Sequence, residues 1–303
     1  MTTTGVQSFN LPFTDIAEEA YERCGVEMRT GYQLRTARRS LNLLTIEWAN
    51  RGINLWTIEQ IEIPLVTGQV TYALPIDTID LLDTVVRNGT GQNQIDINIT
   101  RISETMYITI PNKLAQGRPI QVWVNRQTGE SNPTSVTLVG DISATDTTIT
   151  VSSTVPLASN GYVQIGSEVI YYNTVSGNQL QLCSRGQANT TATLHLSGAT
   201  LSVPNLPSIN VWPTPNSGGN YTFVAYRLRR IQDAGSGTQT QDIPFRFLPP
   251  MIAGLAYYLS QKVPEAAGRI DMLKSSYEEQ WTFASQEDRE KASLRLAPRQ
   301  MFW

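Results

Sequence analysis

A chain of 303 residues, 40% of them hydrophobic, can build one large core or two modest ones. Lysine and arginine number 23 against 26 aspartate and glutamate, a formal charge of -3 with a pI near 5.4, which disfavours a strongly basic nucleic-acid binder. One histidine, His195, and two distant cysteines, Cys24 and Cys183, supply neither a disulfide framework nor a clustered zinc site, nor any Ser-His-Asp or Cys-His mechanism needing a histidine elsewhere.

Residues 1–13 read as an unstructured arm; Met1-Thr2-Thr3-Thr4-Gly5 lacks the basic region and apolar run of a secretion signal. Asp15, followed by Glu18, marks a helix start with Asp15 at the cap; Ile16, Ala20 and Cys24 share a face and Gly25 stops the helix. Cys24 reads as a small core residue rather than a reactive thiol. From about Gln33 to Asn50, Leu34, Ala37, Leu41, Leu44 and Trp48 recur at spacings of 3, 4, 3 and 4, an apolar helical stripe from which Arg35, Arg38, Arg39 and Asn42 fall away. Arg51-Gly52 closes it.

From Gln60 the period changes to two, with Ile61, Ile63 and Leu65 alternating with polar partners and Val70–Pro75 following a Thr67-Gly68-Gln69 turn. Further strands are predicted at Leu82–Arg87, Ile95–Ile102, Met106–Ile110 and Pro119–Asn125. After Asn132-Pro133 the composition turns to Thr, Ser, Val and Gly; residues 134–203 carry one basic residue, Arg185, against Asp141, Asp146 and Glu168. Short alternating runs at Thr148–Val151, Tyr162–Ile165, Val169–Tyr172 and Leu180–Leu182 make this a small all-β module. Cys183 and His195 lie within it and are read as core or turn positions. Ser208–Trp212 and Tyr221–Arg229, joined by a loop with Pro213, Pro215 and Gly218-Gly219, read as a hairpin.

Residues 232–241 have linker composition. Pro249-Pro250 opens a helix with an apolar face of Met251, Leu255, Ala256 and Leu259. Pro264 and Glu265 start another, predicted to run to about Leu294, with Ala267, Ile270, Leu273, Tyr277, Trp281 and Ala284 along it. Gln286–Arg289 is polar all round, which points to a projecting end or a partner contact. Pro298 breaks the last segment, and Met301-Phe302-Trp303 follows a basic pair, Arg295 and Arg299. No stretch approaches the roughly 18 uncharged apolar residues of a membrane span, so a soluble chain made in a reducing cytoplasm, with no membrane partner, is expected. No Gly-rich phosphate loop, CxxC pair or nucleotide fingerprint occurs, so no cofactor is expected.

The expected fold class is α+β, with terminal helices packed as one helical domain, a central antiparallel β-domain and an inserted all-β module. The boundaries are 1–13 for the arm, 14–58 with 245–294 for the helices and 59–131 with 204–231 for the β-domain. The insert spans 132–203, the linker 232–244 and the C-terminal tail 295–303. Insertion at an exposed loop tip is the simplest topology.

Phe13-Thr-Asp-Ile-Ala together with Leu41–Gly52, then Trp56 with the strand at Gln60–Leu65, resembles the opening of the head-completion, or adaptor, proteins of short-tailed bacteriophages. Val211-Trp-Pro-Thr-Pro-Asn216 with Tyr221–Arg230 resembles that family's hairpin, and Asp242–Phe247 with Ile252–Ser260 the start of its C-terminal helices. The resemblance covers residues 10–130 and 205–303. It implies a non-enzymatic virion protein similar to packaged-DNA stabilisation and tail tubular A proteins, assembled in the host cytoplasm into the neck of the particle. Its copies would form a dodecameric ring between the portal and the tail nozzle or tube, around a channel that DNA traverses without specific binding. The C-terminal tail would reach the portal. The insert, with Ile165–Tyr172, Cys183-Ser-Arg-Gly186 and Thr190–His195, resembles a small β-module scattered through phage structural proteins, and a tail fibre or spike is a possible partner.

Large apolar and basic residues at the terminus suit a buried anchor, so Arg295, Leu296, Arg299, Met301, Phe302 and Trp303 are the expected portal contacts. Arg35, Arg38 and Arg39 are expected on a polar face turned to the channel or to a neighbouring copy; tight phosphate binding would oppose sliding of DNA. Two other functions stay open. A tail-associated peptidoglycan hydrolase needs only two carboxylates, with Glu18, Glu19, Glu22, Glu278 and Glu279 as candidates, though acids on helices ordinarily serve solubility. A host-glycan-binding tail protein would rely on the Thr/Ser-rich insert.

Overall fold

The computed structural model describes residues 5, 9–52, 55–235 and 238–289. The protein is α+β, with N-terminal helices, a central region of mainly antiparallel sheets, and C-terminal helices. It forms two compact units, one from residues 1–58 with 230–303 and the other from 59–229.

The helical unit begins with α1 (Phe13–Cys24) and α2 (Gly31–Arg51). α1 starts three residues earlier than a cap at Asp15 implied: Pro12 is the cap and makes no side-chain bond, while Asp15 sits in the first turn, where its charge favours the helix end. Gly25 closes α1 at φ +81°, a left-handed conformation that glycine adopts without a Cβ clash, and its N–H reaches Glu22 O. α2 starts with a reciprocal capping box, Thr30 accepting from Gln33 N while the Gln33 side chain accepts from Thr30 N.

After a five-residue helix in the β unit, α3 (Glu104–Ile108), the helical unit resumes with α4 (Leu248–Ser260) and α5 (Ile270–Glu287). Pro249 and Pro250 fall in the first turn of α4, where a missing N–H costs little. α4 is buried along nearly its whole length. Gly254 lets α2 and α5 approach it, since a Cβ there would lie 2.9 Å from Leu44 and 2.8 Å from the Tyr277 ring. Residues 264–269, expected as the first turns of the last α-helix, form a tighter 3-10 helix. Its three-residue turn shifts the inward face, so Ala266 is buried and Ala267 exposed.

The last helix ends at Glu287 rather than near Leu294, and Asp288 does not project. Asp288 is 8% exposed, accepts from Leu55 N at 2.9 Å and pairs with Arg246. The stretch read as a flexible linker also packs: Ala234 and Gln241 are buried, and Ala234 N donates to Asn42 Oδ1. The end of the arm does too, with Phe13 N donating to Gln239 O and the Phe13 ring wholly buried.

In the β unit two four-stranded sheets close over one core. One has the order Ile58–Pro64, Tyr221–Arg229, Thr78–Asn88, Ile95–Asn98; the other Thr71–Ala73, Ser208–Trp212, Gln121–Asn125, Thr100–Ile102. Leu81, Val86, Phe223 and Ala225 from the first meet Tyr72, Val122, Ile209 and Val211 from the second. The expected strand Ile95–Ile102 is therefore two strands in two sheets. Met106–Ile110 is not a strand; its first residues belong to α3, which Ser103 caps by accepting from Met106 N, with Glu104 in the first turn.

Ser208–Trp212 and Tyr221–Arg229 do not form a hairpin, because they lie in different sheets. Between them Thr214-Pro215 pairs in parallel with Gln116-Gly117 and carries the chain across. Ser208–Trp212 pairs instead with Thr71–Ala73 on one side and with Gln121–Asn125 on the other, Val211 facing Val122 and Ser208 facing Asn125. The ladder continues through Gly129 N to Asn205 O, then Asn132 opposite Val203. Residues 132–203 thus grow from the tip of this hairpin and return beside their point of departure. They form a five-stranded sheet (order Ser184–Gln187, Glu168–Tyr172, Gly161–Ile165, Thr200–Val203, Asn132–Thr137) and a three-stranded one (Thr174–Ser176, Gln179–Gln181, Thr148–Thr150) over a core of their own.

Candidate functional site

The residues expected to act fall into three groups: the α2 arginines, the C-terminal tail and the insert. Arg295, Leu296, Arg299, Met301, Phe302 and Trp303 lie outside the described residues. The α2 arginines do not share one environment. Arg35 and Arg39 are exposed, whereas Arg38 is partly covered, its guanidinium 5.9 Å from the Phe13 ring centre and its Nε buried without a hydrogen-bond partner. With Tyr32 they line an open cleft.

The inward stripe of α2 is read correctly from its period, but its outward face is not simply polar. Tyr32, Leu43 and Ile46 are between 51% and 66% exposed and flank Arg35 and Arg39. In order, Tyr32, Arg35, Arg39, Leu43 and Ile46 stand 3, 4, 4 and 3 residues apart, one continuous outer line. Neither Arg35 nor Arg39 has an acidic partner among the described residues, and the positive charge of Arg39 adds to burial in lowering the pKa of Lys262.

α5 shows the same construction with opposite charge. Leu273, Tyr277 and Ala284 face inward, while Met272 and Phe283 are 60% and 58% exposed on the far side with Glu279 between them. Asp271 and Glu279 have no cationic partner among the described residues. Glu278 is engaged instead: Arg51 holds both its oxygens, at 2.7 and 2.9 Å, and keeps its carboxyl below the usual range. Glu19 pairs with Arg23 at 2.9 Å. Held ionised by Arg51, Glu278 is a poor proton donor for glycoside hydrolysis.

Behind these faces lies an aromatic interior. Trp48 is 4.9 Å from Trp281 and 5.7 Å from Phe247, ring centre to ring centre, and donates from Nε1 to the Tyr277 hydroxyl at 2.9 Å. Glu47 accepts from the hydroxyls of Tyr277 (3.2 Å) and Tyr258 (2.6 Å), and burial with that carboxylate pushes Tyr258 up to about 12. Arg51 covers the rim, its guanidinium 4.9 Å from the Tyr277 ring and 5.2 Å from Trp281. Cys24 is buried and bonded to Ala256 O, and burial pushes its thiol up to about 11, as it does Cys183.

The insert holds a polar cluster that its sequence did not announce. Glu168 is fully buried in a strand of buried neighbours. Arg185 grips it with two bonds, Nε to Oε1 at 2.7 Å and Nη2 to Oε2 at 2.8 Å; His195 Nε2 lies 2.8 Å from Oε2. Gly186 N and Thr193 N donate at 3.1 and 3.0 Å. Burial alone would raise this carboxyl, but these bonds outweigh it and hold Glu168 at about 2. Arg185 also donates to Ser143 O and Thr193 O. His195 is thus neither a bare core residue nor a loose turn position; it closes a pin linking three stretches of the module.

In comparison with known proteins, no family model matches the chain and no match is found among curated proteins.

Proposed function

We propose that this chain is a non-enzymatic structural protein of a short-tailed bacteriophage particle, a head-to-tail adaptor whose copies form a ring between the portal and the tail nozzle or tube. The observation that carries this reading is the outer surface of the helical unit. Tyr32, Leu43, Ile46, Met272 and Phe283 stand out from two helices beside charges that have no partner among the described residues, a composition suited to burial against other protein. The resemblance at both ends of the sequence supplies the particular assembly.

DNA passes through such a ring without being read, which agrees with a net charge of -3. The C-terminal segment 295–303, with its paired arginines and apolar tip, is assigned to the portal, and the insert, hung from a hairpin tip, is free to meet a tail fibre or spike. The test is deletion of residues 295–303. The shortened chain is expected to remain folded by circular dichroism and to fail to bind purified portal rings; undiminished binding would remove the tail from the mechanism. Averaging particle images around the tail axis provides the decisive view, a ring of this chain below the portal.

A further inference from the structure

We propose that neighbouring copies of this chain meet through two different helix faces, the outer line of α2 in one copy lying alongside the outer line of α5 in the next, in the same direction and in register, with Arg39 opposite Glu279 and Leu43 opposite Phe283. The inference rests on the ring reading above and names its seam.

Three observations carry it. The first is spacing. Along α2 the outer residues are Tyr32, Arg35, Arg39, Leu43 and Ile46; along α5 they are Met272, Ser275, Glu279, Phe283 and Gln286. Both lines advance by 3, 4, 4 and 3 residues, so two helices laid side by side match along about four turns. Tyr32 then meets Met272, Arg39 meets Glu279, and Leu43 meets Phe283, leaving Arg35 near Ser275 and within a turn of Asp271.

The second is charge. The α2 line holds two arginines and no acid, and the α5 line holds Glu279, flanked by Asp271. Packing α2 on its own copy would press arginine on arginine, and packing α5 on its own copy would oppose carboxylates. Only the mixed pairing joins opposite charges while covering all four of Tyr32, Leu43, Met272 and Phe283. Duplex DNA would satisfy the arginines but would leave those apolar residues against phosphate and water.

The third is direction. Within one chain, Ser40 meets Lys262, Trp48 meets Tyr277, Arg51 meets Glu278, and Leu55 meets Asp288. The partners advance together, so α2 and the segment carrying α5 run in the same sense. The modest rotation between neighbours in a many-membered ring preserves that sense. Because the two faces differ and each copy presents both, the contact propagates head to tail until rotation closes it.

The experiment uses the full chain with its buried native cysteines retained. Chains carrying Leu43→Cys are mixed with chains carrying Phe283→Cys under mild oxidation; a cross-linked pair is expected from the mixture, and a ladder of higher species from the doubly substituted chain. Sedimentation then follows Arg39→Glu, Glu279→Arg and the two combined, with folding checked by circular dichroism. Each single reversal is expected to weaken association roughly tenfold, and the combination to restore it. Association that ignores both reversals, or trapping of L43C to itself, overturns this seam and leaves the ring reading standing. Arginine-dependent binding of a duplex oligonucleotide with association unchanged does the same. If the chain neither sediments as an oligomer nor is trapped at any concentration, the seam and the ring fall together.

Discussion

At the aromatic centre of the helical unit the polar atoms are neutral: the Trp48 indole N–H meets the Tyr277 hydroxyl at 2.9 Å, the charged groups Glu47 and Arg51 stand at the edge of the cluster, and the buried carboxylate of Asp288 lies past the end of α5, where it pairs with Arg246. The inserted module instead buries a whole carboxylate, Glu168, and surrounds it with a guanidinium, an imidazole and two backbone N–H groups. The two regions differ in what they have to pack. Among the described residues, twenty-three buried apolar ones form the helical core, against twelve in the insert. A small core lacks the apolar area to fix one arrangement of its loops, and a fully bonded ionic pin does so directionally. A broken pin costs more than an intact one contributes, so the insert depends on completeness where the helices depend on volume.

That contrast is open to attack at its largest effect first. Trp48→Ala removes a fully buried ring and leaves the Tyr277 hydroxyl without its donor; a loss of about 5 kcal/mol is expected for the helical unit. Denaturant unfolding measures the loss, and hydrogen exchange over residues 161–172 should stay as in the unaltered protein. Arg185→Met in the insert should cost about 4 kcal/mol, because Glu168 is left buried with only part of its cage. Replacing both Glu168 and Arg185 by methionine should cost less than the single change. If the double substitution proves worse, the insert is held by its charges in their own right and not by their mutual completion.

The pin also has a pH signature, about 3 kcal/mol in size. Glu168 is held at about 2 in the folded module, below its range in an unfolded chain. A depressed carboxyl stabilises the fold above its unfolded pKa, and the contribution fades as pH falls towards the folded value. The insert should therefore loosen between roughly pH 4 and 2, seen as faster exchange in Glu168–Tyr172 and Gly161–Ile165, and Glu168→Gln should flatten that dependence. Exchange that accelerates equally in E168Q would assign the acid sensitivity to other groups.

The contrast also explains what the sequence revealed. Leu34, Ala37, Leu41, Leu44 and Trp48 announce α2 because one helix alone sets their period. The insert's composition announces a β-module because Thr and Val favour strands while Ser and Gly suit the turns between them. Glu168, Arg185 and His195 were illegible as a group, being 17 and 27 residues apart from Glu168 and joined only by sheet pairing. The pairing of Gln121–Asn125 with Ser208–Trp212 is hidden because the whole insert separates the strands, and the nearer Tyr221–Arg229 offers itself as the partner in sequence. Met106–Ile110 misled because its apolar alternation also fits a single helical turn whose Tyr107 stacks on Trp123 at 5.2 Å. The outer line of α2 was half visible: its arginines stood out, while Tyr32, Leu43 and Ile46 could be recognised as exposed only once the inner stripe had been filled by its partners.

The smallest effect tests whether local bonding matters where packing is generous. Thr30 caps α2 on an exposed surface, accepting from Gln33 N at 3.3 Å while Gln33 Oε1 accepts from Thr30 N at 3.1 Å and Arg29 N at 2.7 Å. Thr30→Ala removes one side of this exchange and frees a donor that water can reach. The helix beyond it is anchored by Leu41, Leu44 and Trp48, so fraying should stop within the first turn. A loss of about 1 kcal/mol is expected in denaturant unfolding, with Thr30→Ser restoring most of it. A loss as large as that of Trp48→Ala would mean that α2 draws its stability from its end rather than its buried face, and the comparison with the pinned insert would have to be reversed.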